Sequence, residues 1–486
     1  MARHSTISGF MIIVVVVSLY SLSFQGTSCA PAKQRPRPNR RHLPLIRSRT
    51  PPIVRVDLIH RDSPISPLLE GRNLTMVKRL RRTVERSHSR LSRLQLHYNF
   101  QNPESYNYSP VNYVEGEYFM QMAIGSPVPL NLHFILDTGS DLMWTQCEPC
   151  ETFSSCKPQN DPMFDPFQSS SYNNVSCSNH FCLDLTINGG CNSVNNCEYI
   201  YSYGSGATSG VLVEETFSLG TVAGSPKWTS FPNLTFGCGR SQYGDFLNSS
   251  GIIGLGRGPL SLVSQIGPSI GNIFSYCFGS IYNASQTSPL FLGRSATVGA
   301  GFSVTPLIQN NMFQTFYYLG LDGISIAGEP VPIPKGTFGI QSDGSGGLFI
   351  DSGSTFTSLV EPGYKPFLEA VRSNISAEPV DAYATTGFDL CYNSNSKLPA
   401  AIHYPTIIFH FAGGAEYVLP PEKSFIFISG AGAADDEQEI VCLAFSSSGS
   451  GSGFSVLGNF QQQNFHIVYD LGNNKLSFAP TNCASL

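Results

Sequence analysis

The stretch HFILDTGSDLMW, residues His133–Trp144, places an acid directly after a run of bulky apolar residues. Burying a carboxylate costs free energy unless hydrogen bonds or a partner charge compensate. Asp137 could simply belong to a turn, because Asp is common in turns that contain glycine. A single motif of this kind therefore does not predict a reactive site.

A second copy occurs in GLFIDSGSTFTSL, Gly347–Leu359, where Asp351 follows another apolar run. Both copies read apolar–apolar–Asp–Thr/Ser–Gly–Ser, and each is followed about a hundred residues later by two apolar residues and a glycine. These later stretches are GIIGLG, Gly251–Gly256, and SVLGNF, Ser455–Phe460. The four-part duplication predicts two similar half-domains that each contribute one acid to a cleft between them.

Two neighbouring carboxylates have a specific chemistry. When they are close, both cannot ionise, so they share one proton over a wide acidic range. The ionised carboxylate can act as general base on a water molecule while the protonated one donates to a carbonyl oxygen. We therefore predict Asp137 and Asp351 as a catalytic pair for peptide hydrolysis. The supporting residues are expected to turn the chain tightly or to orient the carboxylates through hydroxyl groups: Thr138, Gly139, Ser140, Ser352, Gly353 and Ser354.

Composition favours a β protein. The chain has 486 residues, too many for one ordinary domain, and only 13% are charged. Its 46 Gly, 33 Phe and 21 Tyr favour strands and turns. From Tyr113 onward, short alternating stretches separated by Gly-rich turns predict an all-β body. Few helices are expected in this body, and the candidates are residues 261–266 and 362–375.

The N-terminus is typical of a targeting segment. Arg3 and His4 precede an apolar run, Phe10–Leu22, and small residues follow it. This pattern indicates a signal peptide over residues 1–28, and the run is shorter than a membrane span requires. We therefore expect a secreted, extracellular protein without a membrane anchor, although a vacuolar location is also compatible. Asn-x-Ser/Thr glycosylation acceptors occur at Asn73, Asn107, Asn174, Asn233, Asn248, Asn283 and Asn374.

Charge divides the chain into a basic front segment, residues 29–110, and an acidic body. Residues 31–105 carry a net charge of +12, and residues 106–486 carry −18. The front segment contains a strand-like stretch at 53–60 and a helical pattern at 73–98, whose polar faces are basic. Binding to nucleic acid or membrane is one interpretation of such a helix. The opposite net charges of the front segment and the body favour an intramolecular role instead. The front segment would then be a propeptide that covers the body and is released by acid.

The cysteines favour disulfides over metal. Of 13 cysteines, Cys29 lies at the expected cleavage region, and the other 12 can form six disulfides in an oxidising compartment. Cys147 and Cys150 have the spacing of half a zinc site, but secretion makes disulfides the better interpretation. The histidines show no ligand spacing, so neither metal nor cofactor is expected. The 12 cysteines are Cys147, Cys150, Cys156, Cys177, Cys182, Cys191, Cys197, Cys238, Cys277, Cys391, Cys442 and Cys483.

Taken together, these motifs resemble the pepsin family of two-lobed aspartic endopeptidases, and most closely its plant nepenthesin-like branch. The stretch VDLIHRDSP at residues 56–64 is similar to the propeptide of that branch. The Cys-dense insert after DTGSDLMW, the YCF around Cys277 and the FAPTNC at 478–483 are also similar. The resemblance implies an all-β bilobal fold with a cleft and a hairpin flap, with lobes at 111–310 and 311–486. It also implies a monomeric zymogen that cleaves proteins or peptides.

The resemblance assigns further roles. Tyr203, in YSYGSGATSG, matches the flap tyrosine, and Trp144 matches the tryptophan that holds it by a hydrogen bond. Ser205 stands where many relatives have Asp, and Ser354 stands where they often have Thr, a change that keeps the hydroxyl. The implied disulfides are Cys147–Cys150, Cys156–Cys238, Cys177–Cys197, Cys182–Cys191, Cys277–Cys483 and Cys391–Cys442.

Two alternatives to an active aspartic endopeptidase have some support in the sequence. GPSIG, Gly267–Gly271, matches a serine-hydrolase nucleophile elbow, but such an elbow follows a strand, whereas a helical pattern precedes it here. A pepsin-like binding or inhibitor protein with weak catalysis is the second, since fold alone does not fix function. Retention of both Asp motifs argues against it, and we predict an active endopeptidase.

Overall fold

The computed structural model describes most of the chain from Val54 onward, and all described residues belong to one unit, Thr50–Leu486. The predicted signal peptide, the linker after residue 99, Ser205, and the acceptors Asn73 and Asn107 lie outside the described residues. The described ranges are 54–69, 75–99, 118–152, 154–185, 189–203, 206–220, 228–244, 246, 248–283, 286–293, 296, 301–394, 402–428, 439–449 and 453–486.

The front segment contains the predicted strand and helix. Strand β1 is Val54–His60, and alternate side chains beginning at Val54 are buried. Helix α1 is Met76–Asn99, and near its start the Thr75 hydroxyl accepts a hydrogen bond from the Lys78 N–H at 3.4 Å. The buried side chains of α1 recur at helical spacing and form one stripe: Leu80, Thr83, Val84, Ser87, Arg90 and Leu91 belong to it.

The first lobe is built mainly of strands. Its helix α4 follows α3 directly, so GPSIG does not leave a strand and lacks the geometry of a nucleophile elbow. The strands are β2 Tyr118–Ile124, β3 Leu130–Asp137, β4 Trp144–Gln146, β5 Asn173–Asn174, β6 Gly189–Cys191, β7 Cys197–Ser202, β8 Gly206–Leu219, β9 Thr229–Gly244, β10 Gly251–Gly254, β11 Ile273–Cys277 and β12 Ser288–Leu292. The helices are α2 His180–Asp184, α3 Leu262–Gln265 and α4 Gly267–Ile270.

The second lobe is also mainly β, which confirms the predicted fold class. β13 Ser303–Ile308 lies before the predicted lobe boundary at residue 311 but pairs with β14 and β27 of the second lobe. The other strands are β14 Tyr317–Leu319, β15 Leu321–Ile326, β16 Glu329–Pro330, β17 Leu348–Ile350, β18 Thr357–Leu359, β19 Cys391–Ser394, β20 Ile407–Phe411, β21 Ala415–Leu419, β22 Phe425–Ile428, β23 Glu439–Leu443, β24 Phe445–Ser447, β25 Ser455–Leu457, β26 Phe465–Asp470 and β27 Lys475–Pro480. The helices are α5 Glu361–Ser373, α6 Tyr383–Thr386, α7 Pro421–Ser424 and α8 Asn459–Gln462.

The sequence duplication reappears in strand pairing. β3 pairs in parallel with β10, and Asp137 lies opposite Gly254. β17 pairs in parallel with β25, and Ile350, the residue before Asp351, lies opposite Leu457. Both apolar-apolar-Gly stretches therefore run beside the strand that delivers an acid. In β3, the segment that pairs with β10, Phe134–Asp137, is buried on both faces and is apolar up to the acid.

The front segment is part of a sheet of the body. β1 runs antiparallel to β12, with Val54 opposite Leu292, and its last two residues pair with β2. β11 of the first lobe pairs with β26 of the second, and β26 pairs with β27. A ladder of backbone hydrogen bonds thus connects the front segment to both lobes.

Disulfide connectivity differs from the implied one in two clusters. Cys277–Cys483 and Cys391–Cys442 form as implied, and the latter pair lies directly opposite in the β19–β23 ladder. The other eight cysteines stay within the same two groups of four but exchange partners. The observed pairs are Cys147–Cys238, Cys150–Cys156, Cys177–Cys191 and Cys182–Cys197.

The exchange has a geometric reason in the first group. Strand β4 leads into Cys147 and runs parallel to β9, which contains Cys238. This pairing brings the two Cα atoms to 5.4 Å, within the range that a disulfide spans. Cys150 is then left beside Cys156, at a Cα separation of 5.7 Å.

Candidate active site

The structure brings the two motif acids together at the junction of the lobes. Asp137 and Asp351 are fully buried, at 1% and 0% exposure. The Thr138 N–H donates to the Ser352 Oγ at 3.0 Å, and the Ser352 N–H donates to the Thr138 Oγ1 at 2.8 Å. These reciprocal bonds tie the two loops to each other, so neither carboxylate can move away without breaking them.

The serines of the two motifs orient the carboxylates. The Ser140 hydroxyl donates to Asp137 Oδ2 at 2.6 Å, and the Ser354 hydroxyl donates to Asp351 Oδ2 at 2.7 Å. Ser354 therefore keeps the hydrogen bond expected from its hydroxyl. Hydrogen bonds to the charged form of a carboxylate favour that form, so both serines oppose the effect of burial.

Gly139 and Gly353 are required because each lies very close to the carboxylate of the other lobe. The Gly139 N–H donates to Asp137 Oδ1 at 3.0 Å, and the Gly353 N–H donates to Asp351 Oδ1 at 2.9 Å. A Cβ on Gly139 would lie 2.7 Å from Asp351 Oδ1, and one on Gly353 would lie 2.5 Å from Asp137 Oδ1. Each glycine thus makes space for the carboxylate of the other lobe.

Arg90 of helix α1 lies between the two acids. Its Nη2 donates to Asp137 Oδ1 at 2.6 Å, and its Nε donates to Asp351 Oδ2 at 2.7 Å. A third bond joins Nη2 to Asp351 Oδ1 at 3.1 Å. The guanidinium is 4% exposed, so this is a buried, multidentate ion pair. The sequence marked Arg90 only as one of several basic residues on the helix. The signal that could have distinguished it is its position on the apolar stripe, three residues after Ser87.

Electrostatics at the site are dominated by burial. Burial raises the pKa of the Asp351 carboxyl, the Arg90 guanidinium opposes this, and the neighbouring Asp137 adds to it. A carboxyl group with a raised pKa and a second carboxyl beside it holds its proton to higher pH than an isolated carboxyl group does. The site therefore has the charge arrangement that general acid–base chemistry requires.

Three further polar residues support the loops, and none was identified from the sequence. The Asn459 Nδ2 donates to the Ser352 carbonyl at 2.9 Å, and the Gln462 Nε2 donates to the Asp351 carbonyl at 3.2 Å. Asp141 accepts hydrogen bonds from the Gly258 N–H at 2.8 Å and the Thr315 hydroxyl at 2.5 Å. Burial raises the pKa of Asp141 to about 6.

The two residues that the resemblance assigns to the flap lie together, but without the implied hydrogen bond. The Tyr203 and Trp144 rings are neighbours, with centroids 6.3 Å apart. The Tyr203 hydroxyl donates instead to the Leu142 carbonyl at 3.3 Å, and none of the described residues offers the Trp144 Nε1–H an acceptor. Trp144 thus braces Tyr203 by packing, because the tyrosine hydroxyl is directed to the backbone two residues before the indole.

Within the described ranges, no group of three or more His, Cys, Asp or Glu side chains is arranged to hold a metal ion. Of the helices in the described part of the chain, none is both long and apolar enough to cross a membrane.

The chain is similar to known protein families and to individual plant proteins. A family model described as "Xylanase inhibitor N-terminal" matches residues 118–294, and one described as "Xylanase inhibitor C-terminal" matches residues 316–480. Aspartic proteinase nepenthesin-2 of Nepenthes gracilis is 37% identical over 485 residues, which cover 99% of each chain. Aspartic proteinase nepenthesin-1 of the same plant is 40% identical over 420 residues, 85% of this chain and 88% of that protein.

Solved structures show the same fold at low sequence identity. The crystal structure titled edgp has a TM-score of 0.61 at 18% identity and covers 90% of this chain and 96% of its own. Basic 7S globulin from soybean has a TM-score of 0.59 at 16% identity and covers 89% of this chain and 97% of its own. At these identities the likeness concerns the fold alone.

Two similar β lobes that each contribute one buried acid to a common junction define the pepsin-like aspartic proteinase class. Identity to the nepenthesins extends over at least 85% of the chain. The chain belongs to the plant nepenthesin-like branch of this family and is an aspartic-type endopeptidase.

Proposed function

We propose that this endopeptidase is made as a secreted zymogen, that Asp137 and Asp351 activate the hydrolytic water at acidic pH, and that Arg90 blocks them until acid releases the front segment. The observation that carries the proposal is the buried guanidinium bonded to both carboxylates, at 2.6 and 2.7 Å. Its position is the one that a water molecule between the acids must take.

The reaction uses Asp137 and Asp351, the catalytic dyad, as one acid–base unit. With Arg90 removed, the carboxylates face each other at close range and share one proton, whose two pKa values belong to the pair. The ionised carboxylate takes a proton from water while the protonated one donates to the peptide carbonyl oxygen. Gly139, Ser140, Gly353 and Ser354 hold the carboxylates by hydrogen bonds, so little reorganisation is needed during the reaction.

Docking of α1 combines charge with apolar contact. Leu80 and Val84 lie in one cluster with Phe356 and Phe388 of the second lobe. Leu91, on the other side of Arg90, lies in a separate cluster with aromatic residues that include Phe349. Each fully buried leucine contributes about 1.5–3 kcal/mol, which offsets part of the cost of burying the guanidinium. The helix therefore fills the cleft on both sides of the dyad.

Acid would weaken this docking in two ways. Protonating either carboxylate leaves the Arg90 charge buried with less compensation, which is strongly unfavourable. Burial also lowers the pKa of His88 on the same helix, although Asp389 opposes the shift. Docked His88 therefore favours its neutral form, so its contribution is present above the unfolded pKa of about 6.5 and is lost as pH falls through the docked value.

Secretion rests on sequence pattern and exposure. The signal-peptide pattern supports an apoplastic location, with the vacuole as the alternative. Among the proposed glycan acceptors, Asn174, Asn233, Asn283 and Asn374 are exposed and Asn248 is half-buried. The accessible acceptors suit glycosylation on the secretory route, and the substrates would be proteins or peptides outside the cytosol.

The experiment measures the purified precursor before linker cleavage, with a short fluorogenic peptide, across pH 3–7 and with pepstatin. The wild-type precursor should be inactive near neutral pH and should gain pepstatin-sensitive activity on acidification. Arg90→Gln should raise the activity of the uncut precursor at pH 6 by at least about tenfold, because removing one partner of a buried ion pair costs several kcal/mol. Arg82→Gln removes the same charge from an exposed position of α1 and is the matched control.

Each outcome has a clear meaning. Equal activation curves for the wild-type and Arg90→Gln precursors would exclude Arg90 as the block. Absence of pepstatin-sensitive cleavage at every pH, even after removal of the front segment, would favour the binding or inhibitor alternative.

A further inference from the structure

Two tyrosines on one face of strand β7 lie beside the chain that leaves the first acid loop. Along β7 the side chains alternate, with Tyr199 buried and its neighbours Glu198 and Ile200 exposed. Tyr201 follows on the same face as Tyr199, and Tyr203 continues the alternation beyond the end of the strand. The rings of the last two tyrosines are neighbours, with centroids 5.0 Å apart. Their hydroxyls therefore reach the same neighbouring segment.

That segment is residues 141–142, which belong to no strand. The Asp141 N–H donates to the Tyr201 hydroxyl oxygen at 3.2 Å, and the Leu142 carbonyl accepts from the Tyr203 hydroxyl at 3.3 Å. Backbone N–H and C=O groups need partners wherever no strand supplies them. The two tyrosine hydroxyls thus replace the hydrogen bonds that a neighbouring strand would make.

The peptide group between Ser140 and Asp141 is held from both sides. Its N–H is the one that donates to Tyr201, and its carbonyl oxygen accepts from the Gly256 N–H at 2.8 Å. The Asp141 side chain is held in addition by the Thr315 hydroxyl of the second lobe, at 2.5 Å. Together these bonds fix the backbone on which the Ser140 side chain stands.

Ser140 connects this backbone to the reacting group. Its hydroxyl donates to Asp137 Oδ2 at 2.6 Å, a bond that weakens steeply when donor and acceptor lose their alignment. Tyr201, Thr315 and Gly256 all lie in the body of the protein. Removal of the front segment therefore breaks none of these bonds.

We propose that Tyr201 is a positioning residue for Asp137: its hydroxyl fixes the peptide between Ser140 and Asp141, and thereby the serine hydroxyl that orients the carboxylate. Thr315 assists from the second lobe by holding the Asp141 side chain. This role rests on the proposed function of Asp137 as one of the two catalytic acids.

The role predicts a specific defect. Without the Tyr201 hydroxyl, the Asp141 N–H loses its acceptor and the preceding peptide gains freedom. The Ser140 hydroxyl is then aligned with Asp137 in fewer molecules, so kcat falls. KM should change little, because the substituted group lies behind the acid loop. In a Ser140→Ala enzyme the connection is already broken, so loss of the tyrosine hydroxyl should have no further effect.

Tyr199 offers a matched control on the same strand and face. It is 1% exposed, and its hydroxyl lies 3.1 Å from the Thr208 hydroxyl, within the β7–β8 hairpin. Phenylalanine at position 199 or 201 keeps the ring and removes only the oxygen. A defect caused by altered hairpin packing would appear in both variants, whereas loss of the bond to Asp141 affects only Tyr201→Phe.

The test uses mature enzyme activated from the full chain, with active sites counted by pepstatin titration. Tyr201→Phe should lower kcat about five- to tenfold and leave KM within about twofold. In the Ser140→Ala background the same change should lower kcat less than about twofold. In the Ser354→Ala background it should again lower kcat about five- to tenfold, since that serine lies in the other loop. Tyr199→Phe should keep the wild-type kcat.

Wild-type kcat in Tyr201→Phe would overturn the proposal, and so would a full effect in the Ser140→Ala background or an equal defect in Tyr199→Phe. If Tyr201→Phe does not fold, Thr315→Val, which releases the Asp141 side chain, decides by the same coupling to Ser140. An inactive wild-type enzyme would refute the proposed function and this inference together. An active wild type whose Tyr201 variant is uncoupled from Ser140 refutes the inference alone.

Discussion

The two acid loops have nearly the same hydrogen bonds to their carboxylates but different support beneath them. In the first loop, the residue after the apolar-apolar-Gly stretch is Leu255, whose N–H donates to the Asp137 carbonyl at 2.7 Å. In the second loop it is Asn459, whose side chain donates to the Ser352 carbonyl. The first loop instead carries a third acid, Asp141, at the position that Thr355 takes in the second.

This difference separates what the chemistry requires from what each lobe can vary. The carboxylate, the glycine N–H and the serine hydroxyl are repeated because both acids must be held and solvated by the protein. The groups below them differ because they need only satisfy the backbone of their own lobe. The two loops are therefore expected to be equivalent in catalysis and different in their response to pH.

The largest expected effect tests whether the two acid loops are equivalent in catalysis. Asp137→Asn and Asp351→Asn should each lower kcat by at least about 1,000-fold, because either change removes one half of the proposed acid–base pair. The measurement is pepstatin-titrated turnover of activated enzyme at acidic pH. Asp322→Asn, at an exposed position of β15, should remain fully active. Substantial activity in either the Asp137 or the Asp351 variant would contradict this equivalence, because one acid would then suffice for catalysis.

The second effect compares the serines. Ser140→Ala and Ser354→Ala should each lower kcat/KM by about 10- to 100-fold, the range for a lost hydrogen bond to a charged group. Because the Ser354 hydroxyl lowers the pKa of Asp351, its removal should also move the pH profile to higher pH. Ser358→Ala removes an equally buried hydroxyl, 2.7 Å from Ser446 and away from the acids, and should keep the wild-type profile. Unequal losses for the two loop serines would show that one carboxylate needs its hydroxyl more.

The smallest effect concerns the third acid of the first loop. Burial raises the pKa of Asp141 to about 6, so the folded state favours its protonated form. Its stabilising contribution is complete below the unfolded value of about 3.9 and is lost as pH rises through about 6. Asp141→Asn should therefore raise Tm relative to wild type more at pH 7 than at pH 4, as measured by thermal unfolding.

Asp161 provides a control of opposite sign. Burial would raise its pKa, but hydrogen bonds from His133 and Ser250 outweigh burial and lower it. Its contribution is present above the unfolded pKa and is lost as pH falls, so Asp161→Asn should lower Tm most at neutral pH. If both variants change Tm with the same pH dependence, the difference assigned to Asp141 is wrong.

The dyad could be predicted because its information is local and repeated. Asp137 and Asp351 sit in the same short motif, and the duplication implies the symmetry that brings them together. Arg90 could not be singled out, because the register of helix α1 against the cleft is a tertiary property. Helical spacing could only place it on the buried stripe.

The disulfide partners show a similar limit to what the sequence can predict. Cys277–Cys483 and Cys391–Cys442 join cysteines that have no competitor nearby. Where four cysteines are crowded together, the partner of each is decided by a few ångströms of loop geometry, which spacing does not encode. The predicted hydrogen bond between Tyr203 and Trp144 is wrong for a related reason. The Tyr203 hydroxyl donates instead to the carbonyl of Leu142, which precedes Trp144 by two residues.

For the proposed zymogen, strand β1 implies a second stage of maturation. Seven residues, Val54–His60, are paired with β12 and β2, and Arg55 also donates to the C-terminal residue Leu486 at 2.6 Å. Cutting the linker breaks one covalent bond but none of these. The severed segment would remain as a bound ligand, and its loss would become a bimolecular equilibrium. A freshly cut preparation should then gain activity on dilution, with no further proteolysis.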